Sequence, residues 1–161
     1  MRDSRIGAYG AIGLIMAIGL QAGLIGQIGD QTGLAGFMAV MLACELSGRS
    51  WFGLALMRLK PIDDTGLAAA FACNGADGFH RWYLYLTWLV FAVVIAGLVS
   101  PTGLLGIAGA QIVIFYGWLR LTRKHLGGLN GDCLGALMIF QRLGALATLV
   151  AMNASMMVQI P

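Results

Sequence analysis

The sequence predicts an all-α fold, a polytopic membrane helix bundle of about five transmembrane helices with one further helix in the membrane interface. Two observations predict it. Hydrophobic residues make up 59% of the 161-residue chain and charged residues 11%, whereas soluble proteins are about half apolar and a quarter charged. Apolar runs close to the roughly 17 to 25 residues that a helix needs to cross a bilayer also recur along the chain. We therefore expect a single integral membrane domain over residues 1–161.

The first two spans differ in length, and the first is glycine-rich. The five expected spans are residues 6–28, 33–46, 83–99, 103–119 and 134–157. The second is short for a bilayer, so WFGLALMRLK, residues 51–60, either lengthens it or forms a separate amphipathic helix. Trp51 and Phe52 suit anchors at the lipid boundary, and we therefore expect an interfacial helix there.

The remaining three spans have recognisable ends. The third opens with RWYLYLTW, an aromatic belt of the kind found where helices enter lipid, and closes at the turn signal Ser100-Pro101. The fourth begins just after this turn. The fifth starts after Asp132 and carries Arg142 in its first half. A charge at that depth is costly, so we expect Arg142 to face the bundle interior, with Glu45 or Gln141 as its neighbour.

The basic residues predict which side of the membrane each loop faces. Loops on the cytoplasmic side carry an excess of Lys and Arg. With the N-terminus inside, nine of the ten basic residues are cytoplasmic and the tenth is Arg142. The nine are Arg2, Arg5, Arg49, Arg58, Lys60, Arg81, Arg120, Arg123 and Lys124. The N-terminus, the central segment and the loop before the fifth span should therefore share the cytoplasmic face.

That loop, in RKHLGGLNGDCLGA from residue 123, is a candidate site for a phosphate and a metal ion. The backbone from Gly127 through Gly128 and Asn130 to Gly131 can form a concave nest of N–H groups that attracts anions, and the basic residues Arg123 and Lys124 precede it. Asp132 would then supply an oxygen ligand to Mg2+ bridging carboxylate and phosphate. The simpler interpretation is that the glycines permit a tight turn, that the basic residues only follow the rule for cytoplasmic loops, and that Asp132 caps a helix. Spacing alone favours the simpler one.

A second polar stretch, DSRIGAYG, begins at Asp3. Asp3 and Arg5 flank Ser4 immediately before the first span, and the glycines that follow would let a ligand approach the first turns. Alone, this stretch is better explained as a helix cap with a cationic anchor.

The two stretches together resemble a known family. MRDSRIGAYGAIGL and KHLGGLNGDCLGA are similar, in this order, to two signature segments of the cobalamin synthase family, the membrane enzymes called adenosylcobinamide-GDP ribazoletransferases. RLKPIDDTGLAAAF, between them, resembles the family's middle loop. The similarity extends over essentially the whole chain.

The resemblance implies a reaction and a set of site residues. The family joins adenosylcobinamide-GDP to α-ribazole or its 5′-phosphate and releases GMP, with Mg2+, at the cytoplasmic face of the bacterial inner membrane. On this basis Asp132 and Asp3 are the expected catalytic residues and metal ligands. The expected phosphate contacts are Ser4, Arg5, Arg123, Lys124, Gly127, Gly128, Asn130 and Gly131. The expected partners are these substrates and the lipid bilayer, with no nucleic acid, and a homo-oligomer is left open.

Three departures from the family pattern bear on activity. The family's acid-rich Asp-Gly-Leu-Ala-Asp-Thr segment would lie upstream of Met1, its usual threonine before Gly-Asp is Asn130 here, and a family glutamate aligns with Arg142. We therefore expect a C-terminal portion of such an enzyme, or a diverged homologue, that does not make cobalamin alone. The alternative from another class is a small non-catalytic structural or assembly protein. Its glycines at 7, 10, 13, 19 and 23 would form close helix–helix contacts.

Overall fold

Long helices dominate the structure, as the sequence predicts. The computed structural model describes residues 8–62 and 101–152, together with positions 82, 85–90, 93 and 97. Its long helices are α1 (Ala8–Gln31), α2 (Leu34–Arg58), α3 (Pro101–His125) and α4 (Gly131–Ala151). Residues 85–90, within the third expected span, are also helical. Three segments are long and apolar enough to cross a membrane, namely Ala11–Asp30, Leu105–His125 and Gly131–Ala151. The all-α membrane fold is confirmed.

Helix α2 differs from its expected form. It continues without a break through Gly48 and Arg49 to Arg58, so the described chain has no separate interfacial helix at residues 51–60. Trp51 is 5% exposed. Its ring packs 4.7 Å, centroid to centroid, from that of Phe115 on α3. Trp51 is therefore a core residue, and the expected anchoring role was wrong because tertiary packing buries the aromatic face of this segment.

Helix α4 packs against each of the other three long helices. Close approach to α2 occurs at Gly48, where an added Cβ would lie 3.3 Å from the carbonyl oxygen of Met138. Two apolar clusters fill the space between the helices. One contains Leu24, Ile28, Val40, Ile107, Leu146 and Leu149. The other contains Trp51, Phe115, Trp118, Leu129, Leu134 and Leu137 and lies toward the loop between α3 and α4.

A buried polar network crosses the bundle near the second cluster. The Nε1 of Trp51 donates to the Oε1 of Gln111 at 2.9 Å, and the Nε2 of Gln111 donates to the hydroxyl of Ser47. Gln141 donates to the backbone carbonyl of Gln111 at 3.1 Å. These bonds join α2, α3 and α4 in the buried interior of the bundle, and Gln141 points into this network although it is next to Arg142 in sequence.

Arg142 instead forms an ion pair with Glu45 of α2. The side-chain amide of Gln21 on α1 faces the same guanidinium. With its oxygen turned toward Arg142, it accepts from Nε at 2.7 Å. Glu45 is one of the two neighbours expected from the sequence. Because a charge in an apolar environment is stabilised by a partner, this pair accounts for a cation at this depth.

Helix α1 and helix α4 run in the same direction. Gln21 faces Arg142, and seven residues further along each helix, Ile28 and Leu149 belong to one apolar cluster. The first residue of α1, Ala8, therefore lies toward the end of the bundle at which α4 begins. At Gly13, Gly19 and Gly23 an added Cβ would meet nothing within 4 Å, so these glycines make no close contact with another described helix.

Candidate functional site

The loop between α3 and α4 is fastened to the segment that follows α2. The amide of Leu129 donates to the carbonyl of Lys60, and the amide of Ile62 donates to the carbonyl of Leu129, each at 2.9 Å. Pro61 and Leu129 thereby form an isolated parallel bridge. Leu129 itself is 1% exposed. The loop is therefore held by backbone pairing and by one buried side chain.

Two glycines permit this arrangement. Gly127 has φ of 73°, a left-handed conformation that side chains disfavour, and its amide donates to the carbonyl of Thr122 at 3.2 Å. Gly128 lies against the segment that follows α2. A Cβ there would be 2.8 Å from the carbonyl oxygen of Lys60 and 3.0 Å from Cγ1 of Ile62. Glycine at 128 is required by this close approach.

Asn130, not Asp132, is the N-cap of α4. Its Oδ1 accepts from the amide of Cys133 at 2.8 Å, which is the usual capping bond. The sequence interpretation that Asp132 caps this helix was therefore wrong. Asp132 lies in the first turn and is exposed. Its carboxylate is stabilised there by the positive end of the helix dipole.

The expected nest is smaller than the sequence suggested. The amides of Gly127 and Leu129 already donate to carbonyls of the chain. The amides of Asn130 and Gly131 have no such acceptor in the part of the chain that the structure describes. Because they lie at the start of α4, they form a helix N-terminus that favours an anion.

Asp132 lines a cleft of about 430 Å³ beside α3. The other polar residues of the cleft are Thr122, His125 and Asn130, and Trp118 and Leu121 contribute apolar walls. Thr122 is 3% exposed. The cleft thus places a carboxylate, an imidazole and a capped helix N-terminus together.

The basic residues occupy a different face of α3. A groove of about 670 Å³ is lined by four cations, Arg58, Arg120, Arg123 and Lys124, and by Tyr116 and Leu119. The Nη2 of Arg123 also donates to the carbonyl of Arg58 at 3.3 Å, which ties the C-terminal ends of α2 and α3. The structure therefore brings Arg123 and Lys124 to the same end of the bundle as Asp132, but not into its cleft.

Sequence reasoning assigned Arg58 and Arg120 only to membrane topology. Arg120, Arg123 and Lys124 follow the i, i+3, i+4 spacing that places side chains on one helix face, and this signal could have identified most of the groove. The participation of Arg58 depends on packing between α2 and α3, which no local pattern reveals.

Asp132 is the residue of the described chain that was expected to bind a metal ion. Among the described residues, no group of three or more His, Cys, Asp or Glu side chains is close enough to hold a metal ion. Asp132 is the carboxylate at this end of the described bundle, which suits Mg2+ held by one or two carboxylates and by substrate phosphates. Asp3, Ser4 and Arg5 lie outside the described residues.

Comparison with known proteins identifies relatives over nearly the whole chain. The family model Cobalamin-5-phosphate synthase matches residues 1–151. An adenosylcobinamide-GDP ribazoletransferase of Brucella anthropi is 32% identical over 163 residues, which cover 94% of this chain and 57% of the relative. A protein of the same name from Roseiflexus sp. is 36% identical and covers 92% of this chain and 52% of the relative. The chain thus spans little more than half the length of these relatives. No solved structure matches it.

Proposed function

The chain belongs to the cobalamin-5-phosphate synthase family, and from this premise we propose that it takes part in joining adenosylcobinamide-GDP to α-ribazole or its 5′-phosphate, the last assembly step of cobalamin. The names of its relatives support this reaction. The structural observation that carries the proposal is the fastened loop, which presents Asp132 and the free amides of α4 at one end of the bundle.

The reaction exchanges one phosphate ester partner for another. A ribose hydroxyl oxygen that is free in both α-ribazole and its 5′-phosphate forms a bond to the phosphorus attached to cobinamide, the bond from that phosphorus to the GMP oxygen breaks, and the proton of that hydroxyl is released. Little covalent chemistry is required of the protein. Its contribution is to position the two substrates and to stabilise negative charge on the phosphates.

The roles we propose follow from charge and position. Asp132, with Asp3, would hold Mg2+, which when bound would neutralise charge on the phosphate oxygens. Helix α1 begins at the end of the bundle where α4 also begins, so the stretch from Asp3 to Arg5 precedes, in sequence, a helix that starts at the same end as this loop. Arg5, Ser4 and the loop amides contact phosphate. Arg123 and Lys124 attract the nucleotide to this end of the bundle.

We further propose the location and orientation. The spans place the chain in a bilayer, for which the family's bacterial inner membrane is the expected one, with the loop on the cytoplasmic side. Four cations at the loop end support that orientation. At the opposite end of α1 the exposed charge is Asp30.

The proposal is tested by growth of a cobalamin-synthase-deficient bacterium on medium that demands the vitamin. The chain is expressed alone and joined to the N-terminal part of the Brucella anthropi relative. We expect growth from the joined protein. Asp132→Asn should reduce synthesis by on the order of 100-fold or more, since a metal supplies several kcal/mol of charge stabilisation.

Asp30→Asn is the matched control because it removes an exposed carboxylate at the other end of the bundle. It should leave growth unchanged. In a direct assay, GDP should bind the purified protein only with Mg2+, and Asp132→Asn should abolish that dependence. Normal synthesis and metal dependence with Asp132→Asn would contradict the proposal and favour a non-catalytic membrane protein.

A further inference from the structure

We propose that the four-cation groove between α2 and α3 is a binding site for an anionic phospholipid. The inference does not rest on the proposed reaction. It depends on Arg58 and Arg120, to which the proposed phosphate-transfer site assigns no role. All four cations of the groove are exposed, and no ion pair with a carboxylate neutralises them within the described residues.

The position of the groove favours a lipid over a soluble anion. The groove lies on the other face of α3 from the cleft that contains Asp132. It is continuous with an apolar stripe on a helix long enough to span a membrane. The stripe is formed by Leu105, Ile112, Val113 and Tyr116, each between 46% and 75% exposed.

The dimensions also suit a lipid. From Leu105 to Arg120 the helix rises about 22 Å at roughly 1.5 Å per residue, more than the roughly 15 Å of hydrocarbon in one leaflet. An acyl chain can therefore lie along the stripe while the headgroup phosphate reaches Arg58 and Arg120. Tyr116, which lines the groove, has an apolar ring and a polar hydroxyl and so suits the boundary between these two environments. Basic pockets between membrane helices bind anionic headgroups in this way.

The full chain in a neutral detergent, where no charged bilayer surface contributes, provides the test. Native mass spectrometry measures the affinity for added phosphatidylglycerol and for phosphatidylcholine, which carries the same phosphate without a net charge. We expect phosphatidylglycerol to bind at least about five-fold more tightly. Arg58→Gln and Arg120→Gln should each weaken its binding about five-fold, as expected for loss of one cation near an anionic headgroup.

Lys60→Gln is the matched control. Lys60 is an exposed cation at the same end of the bundle but outside the groove, so its loss should change the affinity less than two-fold. An equal loss with Lys60→Gln would show that net charge, not the groove, attracts the lipid. Equal binding of both lipids, or displacement of phosphatidylglycerol by GDP, would also overturn the proposal, the latter by assigning the groove to a nucleotide. Thermal unfolding of each variant, unchanged from the parent, verifies that the fold is retained.

Discussion

Replacement of Gly128 by alanine should detach the loop from the segment after α2. The added Cβ would lie 2.8 Å from the carbonyl oxygen of Lys60, whereas ordinary contacts begin at 3.4 Å. The obstructing atom belongs to the backbone, so it cannot rotate away as the end of a side chain could. One of the two segments must move by more than half an ångström.

The cost follows from what that movement breaks. Two backbone hydrogen bonds of 2.9 Å join Leu129 to Lys60 and Ile62, and each contributes roughly 1 kcal/mol net. If Leu129, now 1% exposed, also leaves its pocket, up to about 2 kcal/mol of burial is lost. We therefore expect Gly128→Ala to lower the free energy of unfolding by about 2 to 4 kcal/mol.

The assay is unfolding in mixed micelles of a mild detergent and sodium dodecyl sulfate, followed by tryptophan fluorescence. Gly117→Ala is the control because an added Cβ there meets nothing within 4 Å. Alanine within a helix should stabilise by roughly 0.5 to 1 kcal/mol. Hydrogen exchange at the amides of Leu129 and Ile62 provides a local readout. Unchanged stability with both amides still protected would refute the close approach.

Three further predictions concern capping, the intramembrane ion pair and topology. Asn130→Ala should cost about 1 kcal/mol in the same unfolding assay, whereas Asn130→Thr, which restores the residue usual in the resembled family, should retain most of the cap; equal losses would contradict the capping role. Glu45→Gln and Arg142→Gln should each destabilise the bundle, and the double variant should be less destabilised than the sum by on the order of 1 kcal/mol; additive effects would show that the pair is not coupled. In a variant without native cysteines, a membrane-impermeant thiol reagent applied outside cells should label Gly33→Cys but not Leu126→Cys, and the reverse pattern would overturn the orientation.

The structure determines the choice of labelling position. Gly33 and Leu126 are both exposed, at opposite ends of the bundle. Leu129, in the centre of the loop, is buried, so a thiol placed there would resist the reagent on either side of the membrane. Burial would then be mistaken for topology.

The membrane bundle could be predicted from the sequence because bilayer thickness imposes a length on every apolar run. The fate of residues 51–60 could not. Aromatic and basic residues beside an apolar run suit both an interfacial helix and a continued buried one, and only contact with Phe115 and Gln111 distinguishes them. Because a charge in lipid is costly, the sequence predicted that Arg142 has a polar neighbour, either Glu45 or Gln141. That the neighbour is Glu45 depends on how α2 lies against α4, which the sequence does not show.

In the candidate site too, some features could be predicted from the sequence and others could not. Glycines and a lone carboxylate predicted a polar turn, yet the turn's glycines serve different needs. Gly127 supplies a left-handed conformation, while Gly128 admits the carbonyl of Lys60 from a segment far away in sequence. The pattern GGLNGD contains no information about that second segment. A motif composed of small residues therefore indicates close approach without identifying what approaches.

The last turns of α3 contribute side chains to both the cleft that contains Asp132 and the four-cation groove, on two different faces of the helix. Thr122 and His125 turn toward Asp132, whereas Arg120, Arg123 and Lys124 turn toward Arg58. Because a helix turns about 100° per residue, neighbours in sequence diverge while residues three and four apart align. Substitution of His125 and of Arg120 should accordingly separate the two properties. His125→Gln should lower synthesis by the joined protein without changing phosphatidylglycerol affinity, because His125 lines the cleft that contains Asp132. Arg120→Gln should weaken phosphatidylglycerol binding and leave synthesis unchanged. Loss of both properties in either variant would show that the cleft and the groove act as one site.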